Sequence, residues 1–89
     1  MTETASRVIL VTAPACHLCD YARRVVARLE SAWPLAVSEL QWHSPEGQEL
    51  VRRDGVPFPP ALYIDGALAG YGRLSEGRLR RVLKYRPSP

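Results

Sequence analysis

A short apolar run near the N-terminus limits the folds open to this chain. Val8-Ile9-Leu10-Val11 contains no polar residue and is followed by Thr12-Ala13-Pro14. A strand with one solvated face alternates apolar and polar side chains, whereas a strand covered on both faces reads as a continuous apolar run. We therefore expect this run to be a strand in the centre of a sheet, with helices around it.

The next segment has the apolar spacing of an amphipathic helix. Its apolar residues form one stripe: Leu18, Ala22, Val25, Val26, Leu29 and Trp33. Such a stripe packs on a core, and Pro34 closes the segment. Residues 35–42 are predicted to form a second strand. The alternation of Leu35 and Val37 loses phase before Leu40, which indicates a bulge or a different strand boundary.

A second helix is predicted to begin at Ser44-Pro45-Glu46, with Ser44 as its N-cap and Pro45 as its first residue. It should end near Arg53, with Gly55 just beyond it as the left-handed stop.

The last part of the chain predicts a hairpin followed by a helix. Ala61-Leu62-Tyr63-Ile64 is a short strand, Asp65-Gly66 is a tight-turn pair, and Ala67–Tyr71 can return as an antiparallel strand. Ser75 can cap a final helix whose apolar face uses Leu79, Val82 and Leu83. The predicted fold is therefore an α/β fold of order βαβαββα, with a mixed four-stranded sheet and flanking helices.

Length and composition predict one domain spanning residues 1–89. The chain is 46% hydrophobic and 24% charged, which is typical of a globular protein. No apolar run reaches the length of a membrane span, and residues 1–7 lack the pattern of a signal peptide. We expect a cytoplasmic monomer that does not bind membranes. The net charge of +3 is mild and comes without a nucleic-acid motif, so no nucleic-acid partner is expected.

The chemistry of the chain is concentrated in Cys16-His17-Leu18-Cys19, which lies between the buried strand and the first helix. A cysteine at a helix start is favoured as a thiolate by backbone N–H groups and the helix dipole. Cys16 is predicted to attack a disulfide, and Cys19, one turn further along, to resolve the mixed disulfide. His17, as a cation, would further favour the Cys16 thiolate and tune the reduction potential.

Other interpretations of the cysteine pair stay open. A zinc site needs about four ligands, and besides the two cysteines only His17 and His43 could supply them, so no metal is assigned within one chain. A metal or iron–sulfur cluster bridging two subunits is one alternative. A structural cysteine pair is a second, and a catalytically weak binding or adaptor module is a third.

Prolines mark the approach to the hairpin. Val56-Pro57-Phe58-Pro59-Pro60 contains three prolines in five residues, so the strand should begin only after Pro60. A proline directly before such a strand is a candidate for a cis peptide bond.

Residues 12–20, residues 60–66 and Gly70 together resemble the glutaredoxin-like branch of the thioredoxin superfamily. The Cys-His-Leu-Cys form is similar to a subgroup of short bacterial members. The resemblance implies a thioredoxin-like fold and a thiol–disulfide oxidoreductase. Its partners would be disulfide-containing proteins or low-molecular-weight thiols, with glutathione or another thiol as a co-substrate and no other cofactor.

The resemblance also implies a substrate groove at Pro59 and Pro60, with Pro60 as the cis residue and Pro57 as the competing position. Three residues depart from the family pattern. Ala13 replaces a basic residue, Pro59 lacks the N–H that would bind a substrate chain, and Arg73 stands where an acidic residue helps to hold glutathione. These departures motivate the binding-module alternative and weaken the expectation of specific glutathione use.

Overall fold

The computed structural model describes residues 5–85, which form a mixed sheet with helices on both faces. The elements in chain order are β1 (Ser6–Thr12), α1 (His17–Glu30), β2 (Leu35–Gln41), α2 (Pro45–Arg53), β3 (Ala61–Ile64), β4 (Ala67–Tyr71) and α3 (Glu76–Tyr85). This order confirms the predicted βαβαββα arrangement.

The strand β1 lies inside the sheet, whose order is β2-β1-β3-β4. It pairs in parallel with β2 and antiparallel with β3, and β3 pairs antiparallel with β4. Val8 and Leu10 are each 2% exposed, and Val11 is fully buried. The prediction of an interior strand covered on both faces is therefore confirmed.

Two apolar clusters cover the two faces of the sheet. The first joins β1 and β3 to α1 and α3 and includes Leu10, Val25, Leu29, Leu62 and Leu79. The second joins the opposite face to α2 and includes Val11, Val51, Val56, Ala61 and Tyr63. The Tyr63 hydroxyl also donates a hydrogen bond to the Leu50 carbonyl at 3.0 Å, which ties α2 to β3.

The strand β2 corrects one expectation. Its pairing with β1 runs residue for residue, from Ser6 opposite Leu35 to Thr12 opposite Gln41, without a bulge. The loss of phase arises because β2 uses both faces: Leu35 packs on the first cluster and Leu40 on the second. The register shift lies instead between β3 and β4, at residues 62 and 63.

The hairpin and the last helix follow their turn and cap residues. Asp65 and Gly66 both adopt positive φ, at 50° and 88°, as the tightest hairpin turns require. Ser75 accepts a hydrogen bond from the Arg78 N–H at 3.2 Å and so caps α3. On the apolar face of α3, Leu79 and Leu83 are buried, while Val82 is 37% exposed. Within residues 5–85, no helix is long and apolar enough to cross a membrane.

The start of α2 depends on a glycine. Ser44 caps the helix by accepting a hydrogen bond from the Gly47 N–H at 3.0 Å. Gly47 is buried, and a Cβ added there would overlap the Gln41 carbonyl oxygen at the end of β2. The chain therefore needs the absence of a side chain at this position to turn from β2 into α2.

We predict opposite effects for two glycine-to-alanine changes. Gly47→Ala should lower the free energy of unfolding by about 1–3 kcal/mol, because the added methyl group displaces the Gln41 backbone. Gly77→Ala is the matched control in α3, where an added Cβ meets nothing within 4 Å. It should be neutral or stabilise the protein by up to about 1 kcal/mol, since alanine favours helices. Urea unfolding measures both, and a Gly47→Ala variant as stable as wild type would contradict the overlap.

Candidate active site

The first helix begins at a cysteine. Ala15 adopts a φ of 52°, which turns the chain after β1, and Cys16 follows in extended conformation as the N-cap of α1. Its Sγ accepts a hydrogen bond from the Cys19 backbone N–H at 3.1 Å. Cys16 and Cys19 are joined by a disulfide bond, and their Cα atoms lie 5.2 Å apart.

The two cysteines differ in accessibility. Cys19 is fully buried in α1, while Cys16 is partly exposed at the helix start. Of the two, therefore, only Cys16 is accessible from the surface. His17, the first residue of α1, is exposed beside it.

The proline segment has its cis peptide bond between Pro59 and Pro60, at the position favoured over Pro57. Pro60 is fully buried and Pro59 is partly exposed. The Pro60 carbonyl accepts a hydrogen bond from the Gly72 N–H at 2.8 Å. This hydrogen bond joins the residue before β3 to the residue after β4.

Strand pairing places the cis bond and the disulfide at one end of the sheet. Ala61, which follows Pro60, pairs with Val11 near the end of β1 and with Tyr71 at the end of β4. Since β1 leads directly into the turn before Cys16, the prolines and the redox pair border the same end. The substrate-binding role of Pro59 and Pro60 stays a prediction.

A polar network beneath this end of the sheet was not foreseen from the sequence. The buried Thr12 hydroxyl donates to Glu39 Oε2 at 2.7 Å. Arg23 of α1 donates to the same oxygen at 2.7 Å and to Asp20 Oδ1 at 2.8 Å. The network links β1 and β2 to the first turns of α1. The spacing of Asp20 and Arg23 in α1 signals their ion pair, but nothing local joins either residue to Glu39.

The network shifts the pKa of the Glu39 carboxylate at its centre. Hydrogen bonds from Arg23 are the main cause that lowers the pKa of Glu39. Burial acts in the opposite direction, and the hydrogen bond from Thr12 lowers the pKa further. The same contact with Glu39 raises the pKa of Arg23. Both groups are therefore charged at neutral pH.

An exposed aromatic pair, also missed from the sequence, borders the cis prolines. Phe58 and Tyr71 meet edge to face, with ring centroids 5.7 Å apart, and are 49% and 45% exposed. Gly72, at a φ of 67°, leaves room for the Phe58 ring, because a Cβ at Gly72 would lie 2.9 Å from Phe58 Cε1. The ring is thus held on the surface next to Pro59.

Metal-binding side chains do not gather anywhere in the described part of the chain. Among residues 5–85, no group of three or more His, Cys, Asp or Glu side chains could hold a metal ion. The two cysteines are engaged with each other. A disulfide of this kind can take part in thiol–disulfide exchange.

Comparison with known proteins relates the chain to others by fold. No protein-family model and no curated protein matches the sequence. Among solved structures, a malarial protein aligns at a TM-score of 0.66 and 14% identity, covering 91% of this chain and 96% of the other. Thioredoxin f2 of Chlamydomonas reinhardtii aligns at a TM-score of 0.63 and 10% identity, covering 98% and 84%. The fold is thioredoxin-like, and a disulfide between cysteines three positions apart is consistent with redox chemistry in such a fold.

We predict that Glu39→Gln destabilises the protein at neutral pH but not in acid. The Glu39 pKa is lowered in the folded state, so its ion pair stabilises above the unfolded pKa and is lost as pH falls through the folded value. Because both partners are well exposed, we expect a difference of about 0.5 kcal/mol at pH 7. It should vanish between roughly pH 5 and pH 3.

Urea unfolding of wild type and variant across this pH range measures the difference. Glu30→Gln is the control, since Glu30 is exposed at the end of α1 and makes no ion pair among residues 5–85. If the difference in unfolding free energy between wild type and Glu39→Gln is constant with pH, the carboxylate charge is not what stabilises the folded protein.

Proposed function

We propose that this protein is a thiol–disulfide oxidoreductase that exchanges its Cys16–Cys19 dithiol and disulfide with other disulfides. The observation that carries the proposal is the unequal burial of the pair. Cys16 is partly exposed at a helix start, and Cys19 is fully buried one turn along. A structural disulfide gains nothing from this asymmetry, whereas a two-step exchange needs one attacking and one resolving sulfur.

The helix start supports Cys16 as the attacking group. The Cys19 N–H that donates to Cys16 Sγ at 3.1 Å would bind the negative sulfur of the reduced form more strongly than a neutral thiol. The positive end of the α1 dipole acts in the same direction. Both effects lower the free energy of the thiolate, which is the reactive species.

The reaction balances as two successive exchanges. The Cys16 thiolate attacks a substrate disulfide, forms a mixed disulfide with one substrate sulfur, and releases the other as a thiolate that takes up a proton. The Cys19 thiolate then attacks Cys16 Sγ, forms the Cys16–Cys19 disulfide and releases the second substrate thiolate. The substrate gains two electrons and the protein loses two. Two external thiols, or one dithiol, supply the two electrons and two protons that restore the protein dithiol, and are themselves oxidised to a disulfide.

The proposal includes a substrate groove and partners. Pro59 and Pro60, bordered by Phe58 and Tyr71, would form the groove beside Cys16. The substrates would be disulfide-containing proteins or low-molecular-weight disulfides, and glutathione or another thiol would serve as co-substrate. The subgroup is that of glutaredoxin-like proteins, acting as a monomer in the cytoplasm, where thiols are kept reduced.

We predict that the two cysteines fail differently when changed to serine. Cys16→Ser should abolish reduction of a protein disulfide, because the accessible nucleophile is lost. Cys19→Ser should still attack but should accumulate a mixed disulfide, because nothing resolves it. Insulin reduction with dithiothreitol and mass spectrometry of the acid-quenched protein measure these outcomes.

Three outcomes would contradict the proposed function. Wild type no faster than Cys16→Ser would contradict the enzyme and favour a binding module with the same fold. Failure of Cys16 and Cys19 to form a reversible disulfide across redox buffers would also overturn the proposal. A coloured or metal-loaded protein after purification would instead favour the subunit-bridging cluster.

We propose further that His17 raises the reduction potential by favouring the Cys16 thiolate. Its side chain lies at the exposed helix start next to Cys16. His17→Ala should therefore lower the reduction potential by about 10–30 mV. A shift of about 30 mV corresponds to a tenfold change in the thiol–disulfide equilibrium constant. Equilibration with glutathione buffers measures it. His43→Ala is the control, since His43 is exposed in the turn after β2, and an unchanged potential in His17→Ala would contradict this role.

A further inference from the structure

A second feature lies on the face of the sheet that carries α1. A cavity of about 170 Å³ opens between β4 and α3. Its walls include the apolar side chains of Leu74 and Leu79, the Tyr71 ring, and two arginines, Arg73 and Arg78. Binding sites for cofactors and drug-sized ligands span about 300–1,000 Å³. This cavity is therefore the size of one side chain or a small ion.

The charge of the cavity is positive and uncompensated. Its lining contains no acidic residue. Glu76, the acid nearest in sequence, is engaged with Arg28 and Arg80, each at 2.8 Å. In residues 5–85, neither Arg73 nor Arg78 makes an ion pair. Two unpaired arginines among apolar lining residues favour an anion with an aliphatic stem.

The cavity is connected to the redox site through two contacts. The Arg73 guanidinium lies 5.0 Å from the centroid of the Tyr21 ring, and Tyr21 is one helical turn beyond His17 in α1. On the other side, Tyr71 pairs with Ala61, the residue that follows the cis peptide bond. Arg73 thus stands between the cavity and the helix that begins at Cys16.

We propose that this cavity binds the carboxylate of an acidic side chain in a polypeptide disulfide substrate, and that it selects such substrates over basic ones. The inference rests on the proposed redox function and names its substrate class. The exposed Phe58–Tyr71 pair at the rim favours a polypeptide over a small thiol, because it offers apolar contact to residues flanking the reactive cysteine. Arg73 and Arg78 are specificity residues and do not touch the reacting sulfurs.

The test compares peptide disulfides that differ at a single flanking residue: Glu, Gln or Lys. Pre-reduced protein is mixed with each peptide, and the second-order rate constant is measured in a single turnover. Wild type should reduce the Glu peptide about tenfold faster than the Lys peptide at low ionic strength, as a charge-assisted contact predicts. The ratio should fall toward one in 1 M salt, where charges are screened beyond about 3 Å.

Variants distinguish an effect of the cavity arginines from an effect of the overall charge of the protein. Arg73→Gln and Arg78→Gln should each lower the Glu-to-Lys ratio at least about threefold, and Arg73→Lys should keep more of it than Arg73→Gln. Arg52→Gln is the matched control, because it removes the same charge from α2 on the opposite face of the sheet. An equal loss in Arg52→Gln, or no loss in Arg73→Gln and Arg78→Gln, would overturn the cavity as the cause.

Two further arms identify which hypothesis fails. If wild type does not reduce even the Gln peptide, the proposed redox function fails. If it reduces all three peptides equally, only the acidic subsite fails. Dithiodiglycolate and hydroxyethyl disulfide form a small-molecule pair with and without carboxylates. An Arg73-dependent preference within that pair as large as for the peptides would overturn the polypeptide as the occupant.

Discussion

The central position of β1 is the constraint on which the rest of the molecule depends. Its backbone is paired on both edges, with β2 and with β3, and its side chains supply both apolar clusters. A strand held in this way has a fixed end. The turn at Ala15 therefore presents Cys16 at a defined point, and the paired ends of β3 and β4 are brought beside it.

The helix caps show how local structure and chemistry coincide. α2 and α3 begin at serines, Ser44 and Ser75, whose hydroxyls accept backbone hydrogen bonds. α1 begins at Cys16, whose sulfur accepts the corresponding bond from Cys19. A neutral thiol is a weaker acceptor than a hydroxyl, whereas a thiolate is a charged one. The same capping geometry that is suboptimal for stability thus favours the reactive form of the cysteine.

The parts of the fold that were predictable depend on neighbours in sequence. The cap at Ser44 and the turn at Asp65 each follow from a few adjacent residue types. The resemblance to glutaredoxin-like proteins favoured Pro60 over Pro57 as the cis residue, where the cis bond lies. The course of β2 was harder to predict from the sequence, because Leu35 and Leu40 pack on opposite faces of the sheet. The bond from Thr12 to Glu39 spans 27 positions, and no local pattern reports such a pairing. The Phe58–Tyr71 pair likewise joins residues that are not close in sequence.

The arginines of this protein differ in what they contact. On the α2 face, Arg53 is paired with Asp54 at 2.8 Å. On the α1 and α3 face, Arg23, Arg28 and Arg80 are also paired, while Arg73 packs on the Tyr21 ring instead of a carboxylate. An arginine held by an aromatic ring keeps its charge and most of its donors. Arg73 therefore leaves a positive group beside Tyr21 of α1, and the proposed acidic subsite depends on that charge.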